Sequence, residues 1–299
     1  MAAATATLAC SSSGIAVANS RVTRMQLQES SGVSVVKTPF VSKTPGLKST
    51  SRRGLVAVHS AGLGATLPEG YEVKDRVVVD ESHAGDAASG NVIDKLKAGF
   101  KNFKESNFTQ NPELFEPLKS GQAPEVMIIA CADSRVCPTM LHGLKPGEAF
   151  IVRSVANLVP AYDPSMENVH HGTSAAVQYA VTALGVKKVI VMGHSSCGGI
   201  KALMTMDDFG SDFVGSWVKI GLPAKETTLS QMGDKPLAEQ CTFCEQEAVN
   251  VSLRNLLSFP FVEERVQKGE VELYGMHYDF HDGKLTSWKA APSMATVNA

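Results

Sequence analysis

Two short, unbroken apolar runs in this chain each end at residues that can bind a metal or do chemistry. The run Val126–Ala130 is followed by Cys131-Ala-Asp-Ser-Arg135, and the run Val189–Met192 is followed by Gly193-His-Ser-Ser-Cys197. Apolar runs of this length between polar and glycine-rich segments are typical of parallel strands buried on both faces. In open parallel sheets, ligands bind beyond the carboxyl ends of the strands. We therefore expect the residues that follow the two runs to meet at one edge of a sheet.

Helical and strand periodicities alternate along the rest of the chain. The predicted elements are a helix over 91–103, a short helix from Pro112 to near Gly121, strands over 125–131 and about 149–152, a helix over 167–184 that stops at Gly185, a strand over 187–193, a helix opened by Gly198-Gly199, a helix over 236–257, and a hairpin over 271–289 that turns at Asp282-Gly283. This order predicts an α/β fold. We expect a mostly parallel central β-sheet flanked by helices, with an N-terminal helical arm and a C-terminal hairpin.

Composition narrows the class of protein. The chain has 299 residues, 43% of them hydrophobic, and a formal net charge of -2. This near-neutral charge gives no reason to expect a nucleic-acid partner. The six scattered cysteines favour metal ligands or nucleophiles in a reducing compartment over a disulfide scaffold. No apolar run approaches the roughly 18 residues of a membrane-spanning helix, so a membrane protein is not expected.

The first 60 residues differ in composition from the rest. They contain seven Lys or Arg and one acid, Glu29, and are rich in Ser, Thr and Ala. This composition favours an organellar transit peptide over 1–60, and it fits a secretory signal poorly because no compact apolar core is present. The alternative is a disordered tail that carries no address. We expect a linker over 61–88, a folded domain over 89–290 and a flexible tail over 291–299.

Three side chains that follow the strands suit a zinc ion. Zinc in proteins prefers thiolate and imidazole ligands, and a catalytic site keeps its fourth position for water. His194 and Cys197 can face one point across a strand-to-helix turn, and Cys131 joins them if the two strands are adjacent. The alternative is a pair of small buried thiols beside a chance His-x-x-Cys. Asp133 and Arg135 favour the metal site, because alternate residues of an extended segment point the same way as Cys131.

These residues resemble the paired signature of the β-class carbonic anhydrases, whose metal is held by Cys, His and Cys. The similarity covers about 90 to 289 and is closest to the plant chloroplast type. It continues through Pro146–Arg153, Ala175–Val181, Gly199–Lys201, Cys244–Asn250 and Tyr278–Phe280. The resemblance implies one Zn²⁺ per subunit, bound by Cys131, His194 and Cys197, whose bound hydroxide attacks CO₂ to give bicarbonate and a proton. It also implies a homodimer or higher homo-oligomer in the chloroplast stroma.

The resemblance also implies roles for the residues around the metal. Asp133 would accept a hydrogen bond from the zinc-bound water, and Arg135 would hold that carboxylate ionised through a bidentate pair. In this family the Asp can instead bind the zinc and close the site. Independently of the resemblance, Gly198 lies at a predicted helix start, where backbone N–H groups would favour the Cys197 thiolate and bound bicarbonate. The alternative, compatible with the first, is a glycine that only serves the geometry of the turn.

A largely apolar pocket for CO₂ is implied as well. Its residues map onto Gln122, Phe150, Val155 and Tyr179, and part of the pocket would come from a neighbouring subunit. Without the resemblance, the last three would each be interpreted as ordinary core residues.

Two further features, one a departure from the plant pattern and one shared with it, need an interpretation of their own. Ala183 stands where many plant members carry a His that can relay protons, so His170 or His171 is a candidate replacement. The Cys241-Thr-Phe-Cys244 pair is interpreted as helix packing, with a second metal or a redox pair as the alternative.

Other functions remain open at this point. One is a hydrolase of a CO₂ analogue such as COS or CS₂ on the same site. Another is a zinc or small-ligand binding protein without turnover. A nucleotide-binding protein is a third, but no G-x-G-x-x-G follows a strand.

Overall fold

A computed structural model describes residues 91–165, 171–210 and 212–290 of the chain. The predicted transit peptide over 1–60, the linker over 61–88 and the tail over 291–299 lie outside the described residues. The first residues of the predicted helix over 167–184 and His170 also lie outside them.

Helices and strands alternate through the described residues much as predicted. The helices are α1 Val92–Phe103, α2 Pro112–Leu118, α3 Pro138–His142, α4 Gly172–Gln178, α5 Gly198–Thr205, α6 Phe213–Val218, α7 Leu222–Met232, α8 Leu237–Leu257 and α9 Pro260–Gln267. The strands are β1 Val126–Cys131, β2 Ala149–Ser154, β3 Lys188–His194, β4 Glu272–Asp279 and β5 Lys284–Lys289. Short 3₁₀ turns cover Val155–Asn157 and Lys219–Gly221, and π-helical turns extend α1 over Lys104–Phe108 and α4 over Tyr179–Leu184.

The five strands form one sheet in the order β2-β1-β3-β4-β5. The first four are parallel, and β5 returns antiparallel to β4. The predicted mostly parallel sheet with a C-terminal hairpin is therefore confirmed. The chain passes from β1 to β2 on one side and then to β3 on the other side, so the strand order reverses between β1 and β3. In open α/β sheets, this reversal is where ligands bind.

The two central strands carry the core. Side chains of β1 and β3 alternate between the two faces of the sheet, as the period of a strand requires. On one face, Met127, Ile129 and Val191 pack with Val249 and Leu253 of α8 in one buried cluster. Ile128, Ala130 and Met192 form a smaller buried cluster. The apolar side chains of β1 and β3 are thus buried on both faces of the sheet, which explains why these strands lack an alternating polar pattern.

The structure contains helices that the sequence pattern did not indicate. Among the described residues, α3, α6, α7 and α9 were not predicted as separate elements. The helix that begins with α4 does end at the predicted stop, Gly185, whose φ of 67° is the left-handed conformation that glycine adopts without strain. No helix in the described part of the chain is both long enough and apolar enough to cross a membrane.

Candidate metal centre

Three potential metal ligands converge at the point where the strand order reverses. Cys131 is the last residue of β1, His194 is the last residue of β3, and Cys197 immediately precedes α5. One ligand atom from each lies within 4.8 Å of the other two. The three residues are only 5%, 1% and 2% exposed, respectively. The structure therefore brings together the three predicted ligands in a buried cluster.

The imidazole of His194 is oriented for a ligand. Its Nδ1 lies 2.8 Å from the carbonyl oxygen of Ser195, and a carbonyl only accepts hydrogen bonds, so Nδ1 carries the proton. The lone pair is then on Nε2, which is buried and has no hydrogen-bond partner among the described residues. A backbone carbonyl that fixes the tautomer in this way is the usual companion of a metal-binding histidine. Two thiols and one free imidazole nitrogen fit zinc.

The two thiols influence each other strongly. The hydrogen bond from Cys197 to Cys131 lowers the pKa of Cys131 and, against the effect of burial, favours its thiolate. The same hydrogen bond, together with burial, raises the pKa of Cys197. The backbone N–H groups of Gly199 and Ile200, at the start of α5, lower the pKa of Cys197 and so partly oppose this effect. These opposite effects favour a thiolate at Cys131, and a thiolate is the form of cysteine that binds a metal cation.

Asp133 and Arg135 form the predicted bidentate pair. Arg135 Nε donates to Asp133 Oδ1 at 2.9 Å, and a terminal nitrogen donates to Oδ2 at 2.6 Å. These hydrogen bonds hold the pKa of Asp133 well below its usual range. Arg135 also donates to the backbone oxygen of Ser196, and its guanidinium carbon lies 4.3 Å from the ring centre of Phe280. The pair is therefore fixed against the turn that carries two ligands.

Arg153 supports the loop that follows Cys131. Its Nε donates to the Cys131 carbonyl at 2.9 Å, and its terminal nitrogen donates to the carbonyls of Asp133 and Val136. One side chain from β2 thus satisfies three carbonyls of a loop that has left the sheet. The sequence signal for Arg153 was its place in the Pro146–Arg153 motif, but no role was predicted for it.

A buried polar pair lies behind Cys197. Glu245 of α8 accepts a hydrogen bond from the Cys197 backbone N–H at 3.1 Å, and its other oxygen lies 3.1 Å from His277 Nε2 on β4. Both side chains are almost completely buried. Glu245 therefore connects the last ligand to α8 and β4. Sequence reasoning missed this pair, because neither residue lies near a ligand in the chain.

The β4–β5 hairpin is hydrogen-bonded to the ligand turn. The Ser195 N–H donates to the Tyr278 carbonyl at 3.0 Å, and the Phe280 N–H donates to Ser195 Oγ at 3.0 Å. The Phe280 ring stacks on His194 with ring centres 6.1 Å apart. Ser196 Oγ lies 2.9 Å from Nε2 of His281. His281 was not singled out from the sequence, because only the fold places it beside the ligands.

The residues predicted for the substrate pocket come together only in part. The rings of Phe150 and Tyr179 are 5.8 Å apart, and a Cβ added at Gly199 would be 2.8 Å from Val155. Gln122 is exposed in the segment between α2 and β1, and Gly198 is the first residue of α5. These positions leave two separate neighbourhoods, one at Phe150 and Tyr179 and one at Val155 beside α5.

A groove of about 1040 Å³ lies elsewhere on the surface, along α4 and the start of α9. Its lining includes Tyr162, His171, Gln178 and Phe261, and contains none of the predicted pocket residues. Because its lining also contains none of the three ligands, we do not interpret this groove as the substrate site.

The second cysteine pair has a packing role. Cys241 and Cys244 both lie on α8, and Cys244 is completely buried in a hydrophobic cluster. Burial raises the pKa of Cys244 to about 11, which disfavours the reactive thiolate. The interpretation as helix packing fits these observations.

Together, the sheet topology and the ligand set define a metal-binding α/β protein whose centre is built at the carboxyl ends of β1 and β3. Comparisons with known proteins agree. The sequence profile of the carbonic anhydrase family matches residues 126–285. Beta carbonic anhydrase 3 from Arabidopsis thaliana is 42% identical over 230 residues, which cover 74% of this chain and 88% of that protein. The chain therefore belongs to the carbonic anhydrase family, in its β class, and is an enzyme of that family.

Solved structures are similar in fold. The β-carbonic anhydrase CcaA has a TM-score of 0.62 and 28% identity over 67% of this chain and 92% of its own. A tetrameric β-carbonic anhydrase from Sordaria macrospora has a TM-score of 0.58 and 26% identity over 66% of this chain and 97% of its own. These similarities support the confirmed α/β fold, and the relative from Sordaria macrospora is a tetramer.

Proposed function

We propose that this chain catalyses the reversible hydration of CO₂ with a zinc ion held by Cys131, His194 and Cys197. The observation that carries the proposal is the buried Nε2 of His194, which lies close to two thiols and has no hydrogen-bond partner in residues 91–165, 171–210 and 212–290. A bound Zn²⁺ would supply the Lewis acidity that makes water a nucleophile near neutral pH. One water and one CO₂ then give one bicarbonate and one proton.

Asp133 is proposed to orient the attacking water by accepting a hydrogen bond from it. Arg135 is its positioning residue, because the bidentate pair fixes the direction of the carboxylate. The same pair supports an arrangement in which Asp133 leaves the metal open to water, since both carboxylate oxygens already accept from Arg135.

Gln122, Phe150, Val155, Tyr179 and Gly198 are proposed to line the approach of CO₂ and bicarbonate. Val155 and Tyr179 are 40% and 50% exposed in the single chain, which is unusual for apolar pocket residues. A neighbouring subunit that covers them would complete the pocket. This argument supports a homodimer or higher homo-oligomer, as does the tetrameric relative. Light scattering during size-exclusion chromatography tests this, and a monomer at working concentration would contradict it.

We also propose that residues 1–60 direct the chain to the chloroplast stroma and are then removed. The support is the basic, acid-poor composition of this segment and the similarity to an Arabidopsis relative. Fusion of residues 1–60 to a fluorescent protein tests the address. Fluorescence that stays outside plastids would contradict it.

Stopped-flow measurement of CO₂ hydration, combined with zinc content per chain, tests the activity. We expect the zinc-loaded protein to hydrate CO₂ and a strong chelator to abolish the activity. Cys131→Ser should lose both the bound zinc and the activity. Cys137→Ser is the matched control, because Cys137 is a free thiol outside the ligand cluster, and it should keep both. A zinc-loaded protein without activity, or an active Cys131→Ser variant with full zinc, would overturn the proposal.

A further inference from the structure

Each hydration of CO₂ leaves one proton that must reach a buffer base before the next turnover. Imidazole is the side chain suited to this transfer near neutral pH. Position 183, where many plant members of the family carry a histidine that can relay protons, is an alanine in this chain. The chain therefore needs another group at the edge of the metal centre.

Five histidines lie in the described residues, and they differ in their access to solvent. His194 is in the ligand cluster and His277 is buried against Glu245. His142 is half-buried, with Nε2 3.5 Å from the Met192 sulfur. The ring of His171 is 6.2 Å from the Trp217 ring, and its buried Nδ1 has no hydrogen-bond partner within the described part of the chain. His281 is the one exposed histidine among those described, so buffer can reach it.

His281 is also held beside the ligands. Its Nε2 lies 2.9 Å from the hydroxyl of Ser196, the residue immediately before Cys197. Ser196 has a φ of 54°, a left-handed conformation that is uncommon for a residue other than glycine. The two hydrogen bonds between Ser195 and the hairpin fix the distance between the ligand turn and the residues that lead to His281. The backbone therefore brings together the two residues whose side chains make the contact.

The charged groups near His281 are compatible with proton transfer. Asp279 Oδ1 accepts the His281 backbone N–H at 3.0 Å, so a carboxylate lies beside the backbone of this residue. Asp282 is paired with Lys284 at 3.2 Å. Arg135 lies on the adjacent Phe280 ring, but its charge is balanced by Asp133. Of these described carboxylates, Asp279 is thus the one bonded to the His281 backbone, whereas Asp282 and Asp133 have basic partners.

We propose that His281 is the proton-relay residue that connects the metal centre to solution. In each hydration cycle, the neutral imidazole takes up the proton that leaves the centre on the Ser196 side, and the imidazolium then gives one proton to a buffer base. The protein then returns to its starting state, so each cycle transfers one proton from water to a buffer base. The relay rests on the proposed CO₂ hydration, because without that reaction no proton is released.

The test separates proton transfer from the CO₂ step. For His281→Ala with full zinc, we expect kcat at low buffer concentration to fall roughly 10- to 100-fold, toward the low end of what a positioned proton-transfer group contributes. The ratio kcat/KM should not change, because it does not include proton release to buffer. Added imidazole should restore kcat. Exchange of ¹⁸O between CO₂ and water should show normal interconversion of CO₂ and bicarbonate but slow release of labelled water.

Two further variants complete the design. Asp282→Ala is the matched control in the same turn and should keep the wild-type kcat. His171→Ala tests the competing relay and should also keep it. Unchanged kcat in His281→Ala at every buffer concentration would overturn the relay. So would an equal fall of kcat and kcat/KM, or a buffer-dependent loss in His171→Ala alone. Failure of the proposed function looks different, because the zinc-loaded wild type would then show neither hydration nor isotope exchange.

Discussion

At the scale of single residues, Arg135 orients Asp133 beside the metal ligands. It contacts Asp133, Ser196 and Phe280 in a geometry that a simple positive charge cannot reproduce. Its planar guanidinium donates twice to Asp133, once to the Ser196 carbonyl, and stacks on Phe280. An ammonium group is a compact charge without a fixed fork of donors, so lysine keeps the charge but not the geometry.

Arg135→Lys should therefore lower kcat for CO₂ hydration by about 10- to 100-fold, the range found when groups that orient a metal centre are replaced. Zinc content should stay close to one per chain, because Arg135 is not a ligand. Arg265→Lys on α9 is the matched control, since its nearest ionic partner, Glu270, is 4.0 Å away. A kcat for Arg135→Lys equal to that of wild type would show that Asp133 needs no fixed orientation.

Glu245 has a structural effect that activity alone would not reveal. Its removal leaves the Cys197 N–H and the His277 ring without their partner in a buried site. Each buried polar group without a partner costs roughly 1–3 kcal/mol, so we expect Glu245→Ala to lower the free energy of unfolding by about 3 kcal/mol.

Chemical denaturation of the metal-free proteins measures this loss. Glu245→Gln should lose less than half as much, because an amide of the same shape can still accept from Cys197 and reach His277. Gln246→Ala, at the next and exposed position of α8, is the control and should change stability little. Equal stability of Glu245→Ala and Gln246→Ala would mean that the buried contacts contribute nothing.

Some residues of the metal centre are marked by a local sequence pattern and others are not. This difference explains which of them could be predicted from the sequence. Cys131, His194 and Cys197 each follow an apolar run directly, so a local pattern marks them and the parallel sheet brings them together. Glu245, His277 and His281 act on the same centre, but they come from α8 and the last hairpin. No local pattern connects them to the ligands, and only the packed fold shows the contact.

At the scale of whole elements, β3 and α8 approach closely where Gly193 precedes the ligand His194. A Cβ at Gly193 would be 2.9 Å from Val249 Cγ2 and 3.3 Å from the Glu245 carbonyl oxygen. The backbone of α8 cannot yield as a flexible side chain would, so the helix or the strand must shift. The glycine is therefore required by the contact between elements.

Gly193→Ala should lower the free energy of unfolding by about 1–3 kcal/mol, the usual cost of an added group in a packed core. Urea denaturation followed by circular dichroism measures it. Gly121→Ala is the control, because no atom of the described residues lies within 4 Å of the added carbon there. If the two variants unfold at the same urea concentration, the approach of β3 and α8 tolerates a methyl group.

The long and strongly patterned elements were also the ones predicted from the sequence. β1, β3 and α8 have continuous or periodic apolar residues over their full length. The short helices α3 and α6 have only five and six residues, too few to establish a helical period. In α7 and α9, half or more of the residues are polar, and only Ala224 and Thr228 of α7 and Val262 of α9 are buried among the described residues. Tertiary contact rather than local pattern thus determines these helices.

At the scale of the whole molecule, the metal centre joins segments that are distant along the chain. Cys131 ends β1, His194 ends the neighbouring strand β3, and Cys197 immediately precedes α5. A ligand that binds only the folded chain stabilises it by mass action, by about 2.7 kcal/mol at 100 times its Kd. A zinc ion in this centre should therefore affect the unfolding of the entire sheet.

Zinc at 100 times its Kd should raise the Tm of the metal-free protein by about 5–10 °C, since 1 kcal/mol corresponds to roughly 2–4 °C in a domain of this size. Differential scanning calorimetry across a zinc titration measures the shift, and the dependence on free zinc should follow the same Kd as direct binding. Cys131→Ala is the test of specificity, because it removes one ligand and should show little shift at the same zinc concentration. His142→Ala is the matched control, because this half-buried histidine lies outside the ligand cluster, and it should respond to zinc like the wild type. An equal zinc response in Cys131→Ala and wild type would place the stabilising ion elsewhere, and the convergence of the three side chains would then have no energetic consequence for the fold.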